Sequence, residues 1–416
     1  MVDLLADLEA RGLVQDTTDR EALAARLAEG PVTLYFGCDP SADSLHIGNL
    51  IGILVMRRFV EAGHDAIALA GGATGMVGDP SGRSDERNLL DDATVRHNVE
   101  RIADQLRRIG GVDETVDNAT WTRPISFLEF LRDVGKHVTV NQMIAKESVR
   151  SRLEGENGLS YTEFSYMLMQ AHDYLHLHRT RGCELQIGGS DQWGNIVLGV
   201  DLVRRATGTH VHALTWPLLL RSDGKKFGKT AAGAVWLAAD RSSPYQMFQW
   251  FVNVPDADVE KMLLQLTLLP VDECRAIAEA HAKAPERREG QRRLAVEVTS
   301  LVHGRQAAEA ARAAAGILFG ESPLEAPREA FETLAAEVPT TTMAVDGADP
   351  VDLLVGTGIA SSKGDARRTI AQGGAYLNGE RVGEGRTATR DDLLHGRWLL
   401  LRKGKSTYHL IDGAPA

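Results

Sequence analysis

Cysteine is scarce in this 416-residue chain: Cys38, Cys183 and Cys274 stand far apart, with no CxxC pair and no histidine cluster beside them. That pattern argues against a disulfide framework or a structural zinc site, and isolated thiols suit a reducing compartment. No apolar run approaches the roughly 18 residues that a membrane-spanning helix needs, so no membrane partner is expected. The opening MVDLLADLEARG carries acid where a secretory leader carries base, which makes a cytoplasmic protein the expectation. Internal repeats and long low-complexity tracts are missing too. Positive charge is short: 46 Lys and Arg face 57 Asp and Glu, a formal net charge of −11. The deficit is uneven, because residues 351–416 carry a net +3 and the preceding 350 a net −14. A mildly basic C-terminal piece can touch phosphate while the acidic body does something else.

What is present suits a globular protein of two or three domains, with 43% hydrophobic and 25% charged residues. Residues 4–13 and 20–29 read as short helices. Val32–Phe36 is a compact apolar run, expected as a buried strand ending in the turn Gly37-Cys38-Asp39-Pro40. His46-Ile47-Gly48-Asn49 then opens a helix with a broad apolar face, and Asp65–Ala70 reads as a second strand. Strand, turn, helix and strand in that order predict a parallel α/β domain, a doubly wound sheet. The glycine-rich segment 71–82 follows directly, where open parallel sheets bind ligands. Residues 121–180 read as mostly helical, an insertion near 120–160 between the sheet halves. Cys183–Ile187 and Leu214–Leu220 resume as strands around a helix at 192–205. The expected division is a catalytic α/β domain over 1–233, a helical domain over 234–322, a linker over 323–350 with a candidate short helix at 327–337, and a small α+β domain over 351–416.

Two segments carry phosphate chemistry. A helix N-terminus at His46 offers free N–H groups and the positive end of a dipole. Gly48 lets a flat base or a phosphate chain approach the backbone, and His46 can donate to a phosphate oxygen. Lys225-Lys226-Phe227-Gly228-Lys229-Thr230 supplies cations on a glycine-containing loop. Neither a GxxxxGK[ST] loop nor a GxGxxG turn is present, so a nucleotide would be held by other contacts. Taken singly, His46 also reads as a helix cap and the lysines as a solvated loop.

Together these segments resemble the two signature motifs of the class I aminoacyl-tRNA synthetases, HIGH and KMSKS, which grip ATP in that family. The KFGKT spelling and the context resemble the bacterial tyrosyl members. That context is Tyr35–His46, the glycine segment 71–84, residues 161–173 and Gln186–Asn195, in the family's order. The resemblance runs from about residue 30 to the C-terminus and is weakest over 235–350.

The resemblance implies a Rossmann-like catalytic domain that activates L-tyrosine with ATP and charges tRNA(Tyr), with Mg²⁺ riding on the nucleotide and no protein-ligated metal. It implies that Tyr35 and Asp173 meet the substrate phenol, and that Asp79, Tyr166 and Gln170 surround its ammonium. Tyr166, Gln170 and Asp173 fall at i, i+4 and i+7, one face of a helix. By the same match, Gly37, Gly189 and Asp191 lie around the adenylate, and Asp39 near the amino group and α-phosphate. Gln192 matches the residue at the reacting carboxylate. His46, Asn49, Lys226, Lys229 and Thr230 carry the activation step. Arg83 and Arg87 are candidates for pyrophosphate or the tRNA acceptor end; the family usually has lysine at the former. Two further departures stand out: Asn49 replaces the second histidine of HIGH, and Phe36 stands where the family often has cysteine, so a side-chain contact to ribose there is expected to be lost.

Residues 351–416 resemble the S4 family of small RNA-binding domains, with Lys363, Arg367 and Arg368 as candidate tRNA contacts. The family is homodimeric, with the insertion at the interface. A tryptophanyl enzyme shares the ATP motifs, but an indole offers one donor and no acceptor to the Tyr35–Asp173 pair. A nucleotidyltransferase for small acids has no use for an S4-like module. A non-enzymatic RNA binder would tolerate loss of the ATP motifs, which are intact here.

Overall fold

Tyr35 and Phe36 are neighbours on one strand, and their side chains enter two different cores. A computed structural model describes residues 3–81, 90–154, 158–219, 229–230, 233–383 and 385–413. Within it, a six-stranded sheet contains β1 (Asp16–Thr17), β2 (Thr33–Cys38), β3 (Asp65–Ala70), β4 (Thr115–Asp117), β5 (Leu185–Gly189) and β6 (His212–Trp216), in the order β1-β6-β5-β2-β3-β4. β2 pairs in parallel with β3 on one side and β5 on the other, and only β1 runs antiparallel, along β6. The chain winds outward from β2 to β4, then returns to β5 and winds the other way. That reversal opens a crevice beyond the C-terminal ends of β2 and β5.

Helices cover both faces, as a doubly wound sheet requires. Helix α1 (Ile47–Glu61) is buried on most of its surface. Its Gly52 lies so close to Phe36 and Trp216 that a Cβ there would sit 2.4 Å from the Phe36 ring. Phe36 is thus a packing residue under α1, which accounts for a large ring at that position. Helix α2 (Asp92–Gly110) buries the stripe Val95, Asn98, Ile102, Gln105, Leu106 and Ile109, and stops at Gly111 with φ 68°. On the opposite face, α3 (Tyr161–Arg181) sets Tyr174 edge-on to Tyr35, ring centroids 5.4 Å apart. α4 (Trp193–Thr207) packs beside α3, with Gly199 against Tyr174.

Between β4 and α3, after the single turn Ala119–Thr122, lie three short helices, Phe127–Asp133, Val140–Ile144 and Glu147–Leu153. Ser126 with Glu129 and Thr139 with Gln142 form capping boxes that start the first two. The strands at 33–38, 65–70, 185–189 and 212–216 lie within two to four residues of those expected from sequence. β1 and β4 are additions; two and three residues are too short for any alternation to register.

The chain divides into two compact units, Met1–Arg241 with Val254–Gly290, and Ser242–Asn253 with Gln291–Ala416. Residues 254–290, expected inside a separate helical domain, therefore fold with the sheet. Buried arginines hold them: Arg11 donates to the carbonyls of Leu264 and Leu269 at 3.1 and 2.9 Å, and Arg58 donates to that of Thr267. In the second unit, β7 (Thr340–Thr342), β8 (Ala375–Leu377), β9 (Glu380–Arg381), β10 (Trp398–Lys403) and β11 (Thr407–Asp412) form a sheet in the order β9-β8-β10-β11-β7. The expected linker 323–350 is built into this unit. Pro327 caps a helix over Arg328–Glu337, and the β-branched run Thr340–Thr342 joins β11 as a parallel edge.

Candidate active site

The crevice is built from the strand ends inward. Gly37 is the exposed residue of the otherwise largely buried β2, so the backbone is open to a ligand there. Asp39 follows at the strand end and Asp79 lies within the glycine segment, just after its short helix Thr74–Val77. Gly71 permits the close approach of that segment: a Cβ would sit 2.3 Å from Thr74 Oγ1 and 2.4 Å from Asp39 Oδ1.

One continuous hydrogen-bond chain crosses the floor. Tyr166 Oη donates to Asp39 Oδ2 at 2.8 Å, and Thr74 Oγ1 donates to Asp39 Oδ1 at 2.8 Å. Asn118 Nδ2 donates to Thr74 Oγ1 at 3.0 Å and to Asp173 Oδ2 at 2.9 Å. Trp121 Nε1 donates to Asp173 Oδ1 at 2.8 Å. Asn118 is itself fixed, because its Oδ1 accepts from the Ala73 N–H at 2.7 Å. A second chain lines the α4 side. Gln192 Nε2 donates to Asp79 Oδ2 at 2.6 Å, and Asn195 Nδ2 donates to Gln192 Oε1 at 3.3 Å and Gln170 Oε1 at 3.0 Å.

Tyr35 and Asp173 are deeply buried, 1% and 2% exposed. Tyr35 Oη is buried without a hydrogen-bond partner. A buried, unsatisfied hydroxyl is costly unless a ligand completes it. The Asp173 carboxyl is raised to about 7: burial pushes it up, its bonds to Asn118 and Trp121 offset part of the rise, and the charges of Asp39 and Asp117 add to it. Burial, then the Asp173 charge, raises the Tyr35 phenol well above its ordinary range.

His46 is the N-cap of α1. Its Nδ1 accepts from the Gly48 N–H at 3.0 Å, and its own N–H donates to Asn49 Oδ1 at 3.1 Å. A neutral ring accepting at Nδ1 carries its proton on Nε2, the nitrogen that can donate to a phosphate. Asn49 thereby works as the second half of a capping box. The segment after the lysine-rich loop is laced to this turn. Ile47 N–H donates to Val235 O at 3.0 Å, Leu237 N–H to Leu45 O at 2.8 Å, and Ala238 N–H to Ser44 Oγ at 3.1 Å. Asn98 and Gln105 of α2 hold the preceding loop, donating to Pro40 O at 3.0 Å and accepting from the Leu45 N–H at 2.8 Å. The segment that follows the lysine-rich motif, Val235–Ala238, is therefore anchored beside the His46 turn.

Gly189 and Asp191 lie at the end of β5, where a Cβ on Gly189 would come within 2.7 Å of Asp191 Oδ1. Arg83, Arg87 and Lys226 lie outside the described residues; Lys229 and Thr230 form a short strand against Gly233–Ala234. In the second unit, Lys363, Arg367 and Arg368 are exposed on the helix Lys363–Ala371, and Lys363 pairs with Asp352 at 2.7 Å. Sequence reasoning did not single out Thr74, Asn118, Trp121 or Asn195. Thr74 and Asn195 sit inside segments that were noticed for their neighbours, whereas Asn118 and Trp121 follow a strand too short to mark.

Among the described residues no group of three or more His, Cys, Asp or Glu is placed to hold a metal ion, and no helix is long and apolar enough to cross a membrane. The family described as tRNA synthetases class I (W and Y) matches residues 27–320, and that described as the tyrosine–tRNA ligase SYY-like C-terminal domain matches 330–411. A tyrosine–tRNA ligase of Opitutus terrae is 53% identical over 98% of this chain and 99% of its own. One of Nocardia farcinica is 49% identical over 97% of both. The crystal structure of a C-terminally truncated mitochondrial tyrosyl-tRNA synthetase of Aspergillus nidulans is 32% identical, with a TM-score of 0.70 over 77% of this chain and 95% of that one. The chain belongs to the tyrosyl and tryptophanyl branch of the class I tRNA synthetases and, within it, to the tyrosine–tRNA ligase family.

Proposed function

We propose that the chain activates L-tyrosine with ATP, giving tyrosyl-adenylate and pyrophosphate, and passes the tyrosyl group to the 3′ end of tRNA(Tyr). The observation that carries this reading is the buried, unpartnered Tyr35 hydroxyl beside the Asp173 carboxylate. A phenol fits both, donating to Asp173 and accepting from Tyr35. Phenylalanine leaves both unsatisfied, and an indole has no acceptor for the Tyr35 hydroxyl.

With the phenol at that end, the substrate ammonium reaches the carboxylates of Asp39 and Asp79 beside Tyr166 and Gln170. The carboxylate end then lies at Gln192, near the open backbone at Gly37 and the Gly189–Asp191 turn. A carboxylate oxygen attacks the α-phosphorus of ATP, the bond to the pyrophosphate oxygen breaks, and pyrophosphate leaves. His46 Nε2–H, the N-terminus of α1, Lys226, Lys229 and Thr230 stabilise charge growing on the phosphates. Asn49 orients the His46 turn. A terminal tRNA hydroxyl then attacks the adenylate carbonyl and displaces AMP. Neither step needs a protein nucleophile; positioning and charge stabilisation carry both. Mg²⁺ arrives with the ATP phosphates, and Arg83 and Arg87 meet pyrophosphate or the acceptor end.

The enzyme works in the cytoplasm as a homodimer, with the insertion at the interface. The exposed Phe127, Leu128, Leu131, Val140 and Ile144 of that insertion support this reading.

Pyrophosphate–ATP exchange without tRNA tests the proposal, run in parallel with tyrosine, phenylalanine and tryptophan. Strong exchange with tyrosine alone is the expected result. Exchange favouring tryptophan overturns the substrate, and none with any of the three overturns the activation chemistry.

A further inference from the structure

The sheet of the second unit carries a row of alternating cations and rings. Arg381 pairs in register with Tyr376, Tyr376 with Arg402, and Arg402 with Tyr408, across β9, β8, β10 and β11. Residues in register across a sheet share a face. The Arg402 guanidinium lies 3.9 Å from the Tyr376 ring centroid and 5.9 Å from that of Tyr408. Arg381 stands 6.0 Å from the Tyr376 ring, and its Nε donates to Tyr376 Oη at 3.4 Å. Successive strand residues point to opposite faces, and Leu401 enters the core containing Ala366 and Ile370. The row therefore stands on the face of the sheet opposite the helix of Arg367 and Arg368.

Arg386, Arg397 and Lys403 of the same unit each sit within 3.0 Å of a carboxylate, on Asp392, Asp412 and Asp365. Arg381 and Arg402 form no ion pair among the described residues. The donor from Arg381, with the charges of Arg381 and Arg402, lowers the Tyr376 phenol, a sign of the local positive potential. A guanidinium laid on a ring keeps its plane fixed and its N–H edge free for a bidentate anion. That geometry fits phosphate better than a mobile ammonium does.

We propose that the Arg381–Tyr376–Arg402–Tyr408 row is an RNA-backbone clamp: the two arginines grip phosphates of the bound tRNA while the tyrosine rings hold their planes. The identity of the RNA rests on the tyrosine–tRNA ligase reading. The clamp accounts for how an acidic chain holds a polyanion with few cations, since preorganised ones lose less freedom on binding.

The test is tRNA(Tyr) binding by the full-length enzyme across a salt series, with Arg402→Gln, Arg402→Lys and Tyr376→Leu. Thermal melts check that each variant is folded, and tyrosine-dependent pyrophosphate exchange is measured on the same samples. Each variant is expected to weaken tRNA binding by about 3- to 5-fold, and Arg402→Gln to lower the slope of log affinity against log salt by about 1. Exchange stays at the parent rate. Parent affinity and slope in all three variants overturn the clamp, and so does full rescue by Arg402→Lys, which leaves charge without the planar fork. Failure of exchange in the parent enzyme overturns the ligase reading instead.

Discussion

Trp121 Nε1 donates to Asp173 Oδ1 at 2.8 Å, opposite the bond from Asn118 Nδ2 to Oδ2 at 2.9 Å, so the carboxylate plane is set before a substrate arrives. Each oxygen keeps a lone pair for a further donor, the phenol of the proposed substrate. Tyr35 has the opposite status in the same pocket: buried, and unpaired at its hydroxyl.

That difference gives a signed prediction for Tyr35→Phe. Removing a buried hydroxyl that has no partner relieves a desolvation cost, so the free protein gains about 1–2 kcal/mol of stability. The same change removes a donor to the substrate phenol, so KM for tyrosine rises by roughly 3- to 10-fold and discrimination against phenylalanine narrows. Thermal melts and exchange kinetics on one preparation check both halves. A destabilised variant with unaltered tyrosine KM contradicts the assignment.

Asp173 makes tyrosine binding depend on pH. Its folded value of about 7 stands above the ordinary 3.8, chiefly because of burial. The folded protein thus binds this proton more tightly than the unfolded chain, and the group's contribution to stability falls as pH rises from about 4 to about 7. Its ability to accept from a phenol grows across the upper part of the same window. KM for tyrosine is expected to fall as pH rises from 6 to 8 and then to level off. A flat profile over that interval removes Asp173 as the phenol's acceptor.

Asn118→Ala tests the chain that orients this carboxylate. It removes donors to Asp173 and Thr74 and the acceptor for the Ala73 N–H, all buried, at a cost of about 2–4 kcal/mol. One of the interactions that lower the Asp173 pKa goes with it, so the midpoint of the tyrosine pH profile moves upward. Loss of stability with an unmoved midpoint makes Asn118 a packing residue only.

Gly71→Ala tests the close approach at the strand end. The added methyl meets Thr74 Oγ1 and Asp39 Oδ1, neither of which can withdraw without breaking the bond between them. The expected cost is about 1–3 kcal/mol of stability, with a larger loss in kcat/KM for tyrosine than for ATP. Equal losses for both substrates argue against a specific link from Gly71 through Asp39 to tyrosine.

Much of the sheet was legible because Val32–Phe36 and Asp65–Ala70 are apolar runs of strand length, and α1 and α2 carry helical periodicity to recognisable stops. Tyr166, Gln170 and Asp173 were singled out by the family resemblance, and their spacing places them along one helix, α3. Asn118 and Trp121 were not, because their roles depend on β4 bringing them against Asp173, 55 and 52 residues away in sequence. The fold of 254–290 was hidden for the same reason: arginines 11 and 58 fix it by reaching distant backbone carbonyls, and no local pattern encodes such a bond. Of the segment 323–350, read largely as a linker on its prolines, the helix Arg328–Glu337 matches the short helix expected at 327–337, whereas the strand Thr340–Thr342 was not foreseen.

The helical insertion sets the last prediction. Phe127 and Leu128 are 65% and 76% exposed at the start of a helix whose capping box fixes it in place. Large rings and branched chains held open to water on a preformed helix lower the free energy when a second surface covers them. Leu131, Val140 and Ile144 extend this apolar content along the next turns of the insertion. If two copies meet here, replacing Phe127 and Leu128 together by Asp forces charge into the contact and yields a monomer. Both side chains are largely exposed, so the fold of each monomer changes by no more than about 0.5 kcal/mol. Sedimentation velocity at several concentrations reads the outcome, with circular dichroism as the check on folding. A dimer that persists unchanged in the double variant moves the interface away from the insertion.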